Sequence, residues 1–198
     1  MSAILIPAGP GESEVVEKRS SFLGVVRAVT TEDEARDVIA EVKKRHRDAR
    51  HNCWCYRLES GAERYSDDGE PQGTAGVPML EVFRKAGVTN AVCVVTRYFG
   101  GVLLGTGGLL RAYTKAAKDA LDNAGITEIL PRTSFLVRCP YALADRIRLE
   151  TVSFAGEIEN VTYEADVCFT VLVLEEQADA YAARIFDLTS GTVRCEAL

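Results

Sequence analysis

Two stretches of this chain hold residue types at spacings suited to gripping an anion. In Thr96-Arg97-Tyr98-Phe99 and the residues after it, five glycines (Gly100, Gly101, Gly105, Gly107, Gly108) fall within nine residues, and Arg111 follows. Glycine lets a ligand approach the backbone closely, and a helix beginning there would aim unpaired N–H groups and a positive dipole end at the same place. Arg97 and Arg111 bracket the loop and have the fork geometry for a phosphate. The second stretch, Ser66 to Gly76, sets Asp67, Asp68 and Glu70 within four residues, and His51 lies upstream. Such carboxylates can hold Mg²⁺ through oxygen ligands or fold back on their own turn. Two adjacent aspartates point different ways, so no metal and no cofactor is assigned. His51 is open to two readings, a functional group or a hydrogen-bonded structural one.

The glycines do not spell a familiar nucleotide loop. A P-loop needs Lys-Ser/Thr after its last glycine, where this chain has Gly108-Leu109-Leu110, and Leu110 also replaces the third glycine of a dinucleotide fingerprint. A packing role, letting a helix lie close on a sheet, stays open.

The elements that must position these residues follow from periodicity. Ala91–Val95 is a buried strand running into the glycines, and about Gly108 to Asn123 is a helix with Leu109, Leu110, Tyr113, Ala116, Ala117, Ala120 and Leu121 at helical spacing. Val15 to Val29 reads as an opening strand or bent strand pair. Thr31, followed by Glu32, Asp33 and Glu34, caps a helix reaching about Arg47. Its basic end, Lys43-Lys44-Arg45-His46-Arg47, suits the helix C-terminus or continues with Arg50 and His51 as a phosphate patch. Asn52 to Glu59 alternates as a strand, with Asn52, Trp54 and Tyr56 on one face and Cys53, Cys55 and Arg57 on the other. Thr74 is the expected cap of a helix over about Ala75–Ala86, ended by Gly87. This order predicts an α+β domain over 1–131 with helices on one face of a sheet. Residues 132–198 read β-α-β-β-α-β, the split βαβ of a ferredoxin-like fold.

Bulk properties narrow the classes. The chain has 198 residues, 47% hydrophobic and 26% charged, with a net charge of −6. Residues 1–130 carry 17 Lys/Arg and 18 Asp/Glu, whereas residues 131–198 carry 6 and 11. The acidity therefore sits in the second domain and argues against a broad nucleic-acid footprint there. No apolar run approaches the ~20 residues of a membrane span. Six cysteines lie scattered in strand-like segments without zinc spacing. They read as reduced thiols, and the expected location is the cytoplasm.

The pair SDDGEPxGTAGxPxL (from Ser66) and VTRYFGGxxLGxGGLxRAY (from Val95), with His51-Asn52-Cys53-Trp54 upstream, resembles the YigZ/IMPACT family across the whole chain. The resemblance implies a first domain with the fold of a small-subunit ribosomal protein domain 2 and of elongation factor G domain IV. It also implies a second domain like elongation factor G domain V. Eukaryotic relatives act by protein binding, restraining the amino-acid-starvation kinase through its activator. The implied function is regulation of translation, by binding RNA, the ribosome or a translation-associated protein through a glycine- and arginine-rich cleft. That cleft would comprise His51, Asp67, Asp68, Glu70, Arg97, Tyr98, Gly100, Gly101, Gly105, Gly107, Gly108 and Arg111, with Tyr98, Phe99 or Trp54 stacking on a base. An alternative is an enzyme acting on a small phosphorylated or carboxylated ligand, metal-assisted or not. A third is an interaction module in which the motif only packs. No complete catalytic motif is visible.

Overall fold

A run of β-branched residues, Ala91–Tyr98, forms the central strand of the first unit and is buried on both faces until its last residue. The computed structural model describes residues 3–198, which divide into two units, Ile4–Ile129 and Leu130–Leu198 together with Ala3. In the first unit, β1 (Ile4–Pro7), β2 (Gly11–Glu17) and β3 (Ser20–Ala28) precede α1 (Glu32–Arg45). Then come β4 (His51–Arg57), β5 (Glu63–Ser66), α2 (Gly76–Ala86), β6 (Ala91–Tyr98), α3 (Gly105–Ala124) and β7 (Ile126–Ile129). Five strands make one antiparallel sheet in the order β2-β3-β6-β4-β5, and β1 pairs with β7 apart from it.

Side-chain alternation along these strands divides the core in two. Phe22, Val26, Cys53, Cys55, Cys93 and Val95 meet α2 and α3, where the alanine-rich stripe of α3 permits close approach. Val25, Tyr56, Val92 and Val94 meet Ala35, Ile39 and Val42 of α1 on the other face. The expectation of helices on one face is therefore corrected: α1, amphipathic and short of apolar bulk elsewhere, buries its single stripe against the face that α2 and α3 leave open.

Thr31 caps α1 as expected, its side chain accepting from the Glu34 N–H at 3.2 Å. Residues 15–29 do form a strand pair, joined by the two-residue turn Lys18-Arg19 with φ of 45° and 69°. Positive φ at both positions is the geometry that matches strand twist, but it ordinarily selects Asn-Gly.

In the second unit, β8 (Arg132–Cys139), α4 (Tyr141–Ser153), β9 (Glu157–Tyr163) and β10 (Val167–Leu174) precede a short 3₁₀ turn, α5 (Ala178–Leu188) and β11 (Cys195–Ala197). The sheet order β11-β8-β10-β9, antiparallel throughout, is the ferredoxin-like arrangement. Phe135, Val137, Ile147, Phe169, Val171, Tyr181 and Ile185 form its core. No helix among the described residues is long and apolar enough to cross a membrane.

Candidate functional site

Antiparallel register brings three strand ends together. Ser21 faces Tyr98 and His51 faces Arg97, so the start of β3, the end of β6 and the start of β4 share one end of the sheet. The chain leaving β6 turns there into α3. A cavity of about 380 Å³ opens at this end, lined by Arg50, His51, Glu70, Pro71, Arg97 and Phe99 and by Leu103 to Thr106.

Its floor is a buried polar network. Glu70, whose side chain is 3% exposed, accepts from Arg97 Nη1 at 2.7 Å and from the Tyr113 hydroxyl at 2.9 Å, both on Oε1. The low-dielectric surroundings strengthen both bonds. Burial, with the neighbouring Cys53 and then Glu70, holds the Tyr113 hydroxyl far above the usual phenol range, so it is a donor and not an anion. His51 Nδ1 lies 2.8 Å from the Asp68 carbonyl oxygen. A carbonyl only accepts, so Nδ1 carries a hydrogen and donates it. The opposite nitrogen, Nε2, then points to Glu70, 3.9 Å from Oε1. Burial pushes the Cys53 thiol up to about 12, which removes it as a nucleophile beside His51.

The three clustered carboxylates separate into three tasks. Asp67 accepts at Oδ1 from the Ala75 and Gly76 N–H groups, at 3.0 and 2.8 Å, and at Oδ2 from Gly73 at 2.8 Å. It is thus the cap of α2, in place of Thr74, whose hydroxyl donates to the Pro71 carbonyl instead. Asp68 accepts from Lys43 Nζ at 2.8 Å and from the Asn52 N–H at 2.7 Å. Burial raises its carboxyl, but Lys43 and the Asn52 N–H outweigh that and leave it below the ordinary carboxylate range. Only Glu70 belongs to the cavity. Asp67→Asn leaves one acceptor oxygen where two are used, stranding at least one backbone N–H. It is expected to lower stability by about 1–2 kcal/mol, read from urea midpoints; an unchanged midpoint would show that water replaces the lost acceptor.

The glycines divide likewise. Gly105, Gly107 and Gly108 are the first residues of α3 rather than a loop before it, and of these Gly105 lines the cavity. Gly100 abuts the Lys18-Arg19 turn, and its N–H donates to Ser20 Oγ at 3.2 Å. Gly101 has φ of 83° with open space around it.

Two further expected members, Tyr98 and Arg111, also lie outside the cavity. Strand alternation turns Tyr98 to the α1 side, where its hydroxyl donates to Asp48 and sits 3.0 Å from His46 Nδ1. Neighbours on a strand cannot both face one cleft, and Arg97 is the one that does. Arg111 is exposed on α3 beside Gly107 and does not line the cavity. Trp54 stacks on Tyr56 over the α1 face, so Phe99 is the aromatic left at the mouth. Tyr113, which helical spacing places on the buried stripe of α3, also belongs to the site through its bond to Glu70. Its signal was a hydroxyl in an alanine-rich buried stripe, which needs a partner inside.

Comparison with known proteins agrees with this architecture. Residues 18–121 match the Impact N-terminal domain, and residues 137–192 match a domain of unknown function (DUF1949). The chain is 37% identical to the IMPACT family member YvyE of Bacillus subtilis, over 91% of its own length and 84% of that protein's. It is 33% identical to the IMPACT family member YigZ of Escherichia coli, over 100% and 99% of the two chains. A crystal structure of a hypothetical protein superposes with a TM-score of 0.74 at 33% identity, covering 100% of this chain and 98% of that one. With both family domains matched in order and relatives aligned end to end, the chain belongs to the IMPACT family.

Proposed function

We propose that the protein acts in translation by binding RNA at the end of the first unit where β3, β4 and β6 meet. The observation that carries this reading is where the unpaired cations sit. Arg27, Arg36, Arg45, Arg57, Arg64 and Arg84 are all engaged by carboxylates. Seven exposed cations of this unit have no ion pair among the described residues: four of them, Lys18, Arg19, Arg47 and Arg50, lie in turns at this end, and Lys44, Lys85 and Arg111 lie on the helices. Lys18 and Arg19 form the turn against Gly100, Arg50 lines the cavity, and Arg47 lies between α1 and β4 at the same end. Glu17 and Asp48 are the carboxylates interspersed with them.

The turn adds a second reason. A non-glycine residue at positive φ costs roughly 1–2 kcal/mol, and here two successive cations hold that conformation. Strain retained at an exposed turn points to a use for those side chains. Phe99, at the mouth, offers a face for a base to stack on.

Four phosphate contacts to single-stranded RNA give a salt slope of about −0.7 per contact, so affinity should fall about fiftyfold between 50 and 200 mM salt. Fluorescence anisotropy with a labelled single strand measures this, and ribosome pelleting at the same salts tests the larger partner. Lys18→Ala, Arg19→Ala and Arg50→Ala combined should flatten the slope to about −0.7. Binding of wild-type protein that ignores salt, or no binding at 50 mM, would sink the proposal.

A further inference from the structure

Arg97 enters the cavity with part of its guanidinium unused. Its side chain is 7% exposed and its Nη1 donates to Glu70. Its Nε–H is buried and has no hydrogen-bond partner. Nη2 makes no hydrogen bond or ion pair among the described residues, both being made by Nη1. A buried donor left unpaired is costly, and Nε–H with its neighbouring Nη is the edge that meets two oxygens of one phosphate or carboxylate. The Phe22 and Phe99 rings also contact the cation, their centroids 5.6 and 5.5 Å from the guanidinium carbon. Phe22 is fully buried and Phe99 is 42% exposed, so Phe99 is the ring on the solvent side. The Nε–H edge is the part of the guanidinium left without a partner.

The surroundings add positive potential. Gly105 and Thr106, at the start of the 20-residue α3, line the same cavity. That helix begins with no side-chain cap and no carboxylate in its first turn, leaving its N–H groups for an incoming anion. Arg50 lines the cavity without an ion pair among the described residues, and Glu70 offsets only one positive charge. An internal phosphodiester carries a sugar on each side and needs an open groove. A guanidinium edge on a side chain 7% exposed, in a cavity of about 380 Å³, favours a group with a single substituent.

We infer that the cavity takes a terminal phosphate monoester, carried by an RNA end or by a free nucleotide, on the Arg97 edge and the α3 N-terminus. This deepens the RNA-binding reading and rests on it for the RNA end as the source. Isothermal titration of the full chain compares trinucleotides bearing a 5′-phosphate, a 3′-phosphate or only hydroxyl ends, and adenosine monophosphate alone. One phosphorylated end should bind about tenfold or more tightly than the hydroxyl-ended strand.

Two variants separate recognition from folding. Thr106→Glu places a carboxylate where it suits the helix dipole but repels phosphate. It should abolish the preference with an unchanged melting temperature. Arg97→Lys keeps a charge for Glu70 and loses the fork, and should also abolish it. Equal binding of all three strands overturns the inference and leaves RNA binding standing. Binding of the mononucleotide without any RNA supports the phosphate site with a free nucleotide as its source, and the RNA reading falls. No binding of any phosphorylated probe overturns the inference.

Discussion

Glu70→Ala is expected to lower the stability of the first unit by about 3–5 kcal/mol, the largest effect of any single substitution at the site. The cause is what it leaves behind. Arg97 and Glu70 have side chains 7% and 3% exposed, so removing the carboxylate strands a buried guanidinium. The Tyr113 hydroxyl, fully buried, loses its acceptor in the same step. Glu70→Gln retains an oxygen for both donors and removes only the charge, so it should cost about half as much. Replacing both partners, Glu70→Leu with Arg97→Met, removes the uncompensated charge and should be milder than Glu70→Ala alone. Urea unfolding of the four proteins measures the set. A cost for Glu70→Ala below about 1 kcal/mol, the value of an exposed pair, would mean that water reaches Arg97 in solution. The unused guanidinium edge would then lose its meaning as a ligand site.

How far the sequence disclosed this site depends on the range of the interaction. Thr31 with its three following acids, the β-α-β-β-α-β order of the second domain, and the alternation of β4 are local patterns, and each has its expected place. β1 and β5 carry no such local pattern. Each is four residues long, and β1 is specified by pairing with β7, Ile4 opposite Ile129, across almost the whole unit. No local periodicity carries such information. In the same way, Glu70 and Arg97 were each legible as chemistry-bearing residues, yet their pairing joins a loop to a strand 27 positions away. Asp67 and Asp68 looked like one acidic cluster with Glu70. Only the folded chain shows Asp67 turned to the amides of α2 and Asp68 to Lys43. The place of Tyr98, by contrast, follows from local pattern: strand neighbours face opposite ways, and Arg97 takes the cavity side.

Gly100→Ala is expected to cost about 3 kcal/mol, at the upper end of overpacking effects, and to weaken RNA binding as well. A Cβ at position 100 would lie 2.0 Å from both the carbonyl carbon and oxygen of Arg19, which are backbone atoms that no rotamer can move aside. The turn itself has little freedom to yield, since Lys18 and Arg19 already stand at positive φ. Relief must come from displacing the whole tip, carrying two of the exposed cations away from Phe99 and Arg50. Gly101→Ala offers the contrast one residue on. There the space is open and only φ of 83° resists a side chain, so the cost should be about 1–2 kcal/mol. Asparagine, which tolerates that region, should recover most of it at 101 and nothing at 100. Thermal melts and salt slopes for the four variants test both halves of the claim. Similar losses for Gly100→Ala and Gly101→Ala, both relieved by asparagine, would mean that the glycines serve backbone conformation alone. Separate behaviour, with the salt slope reduced only by substitutions at 100, would tie the close approach of the turn to the binding of RNA.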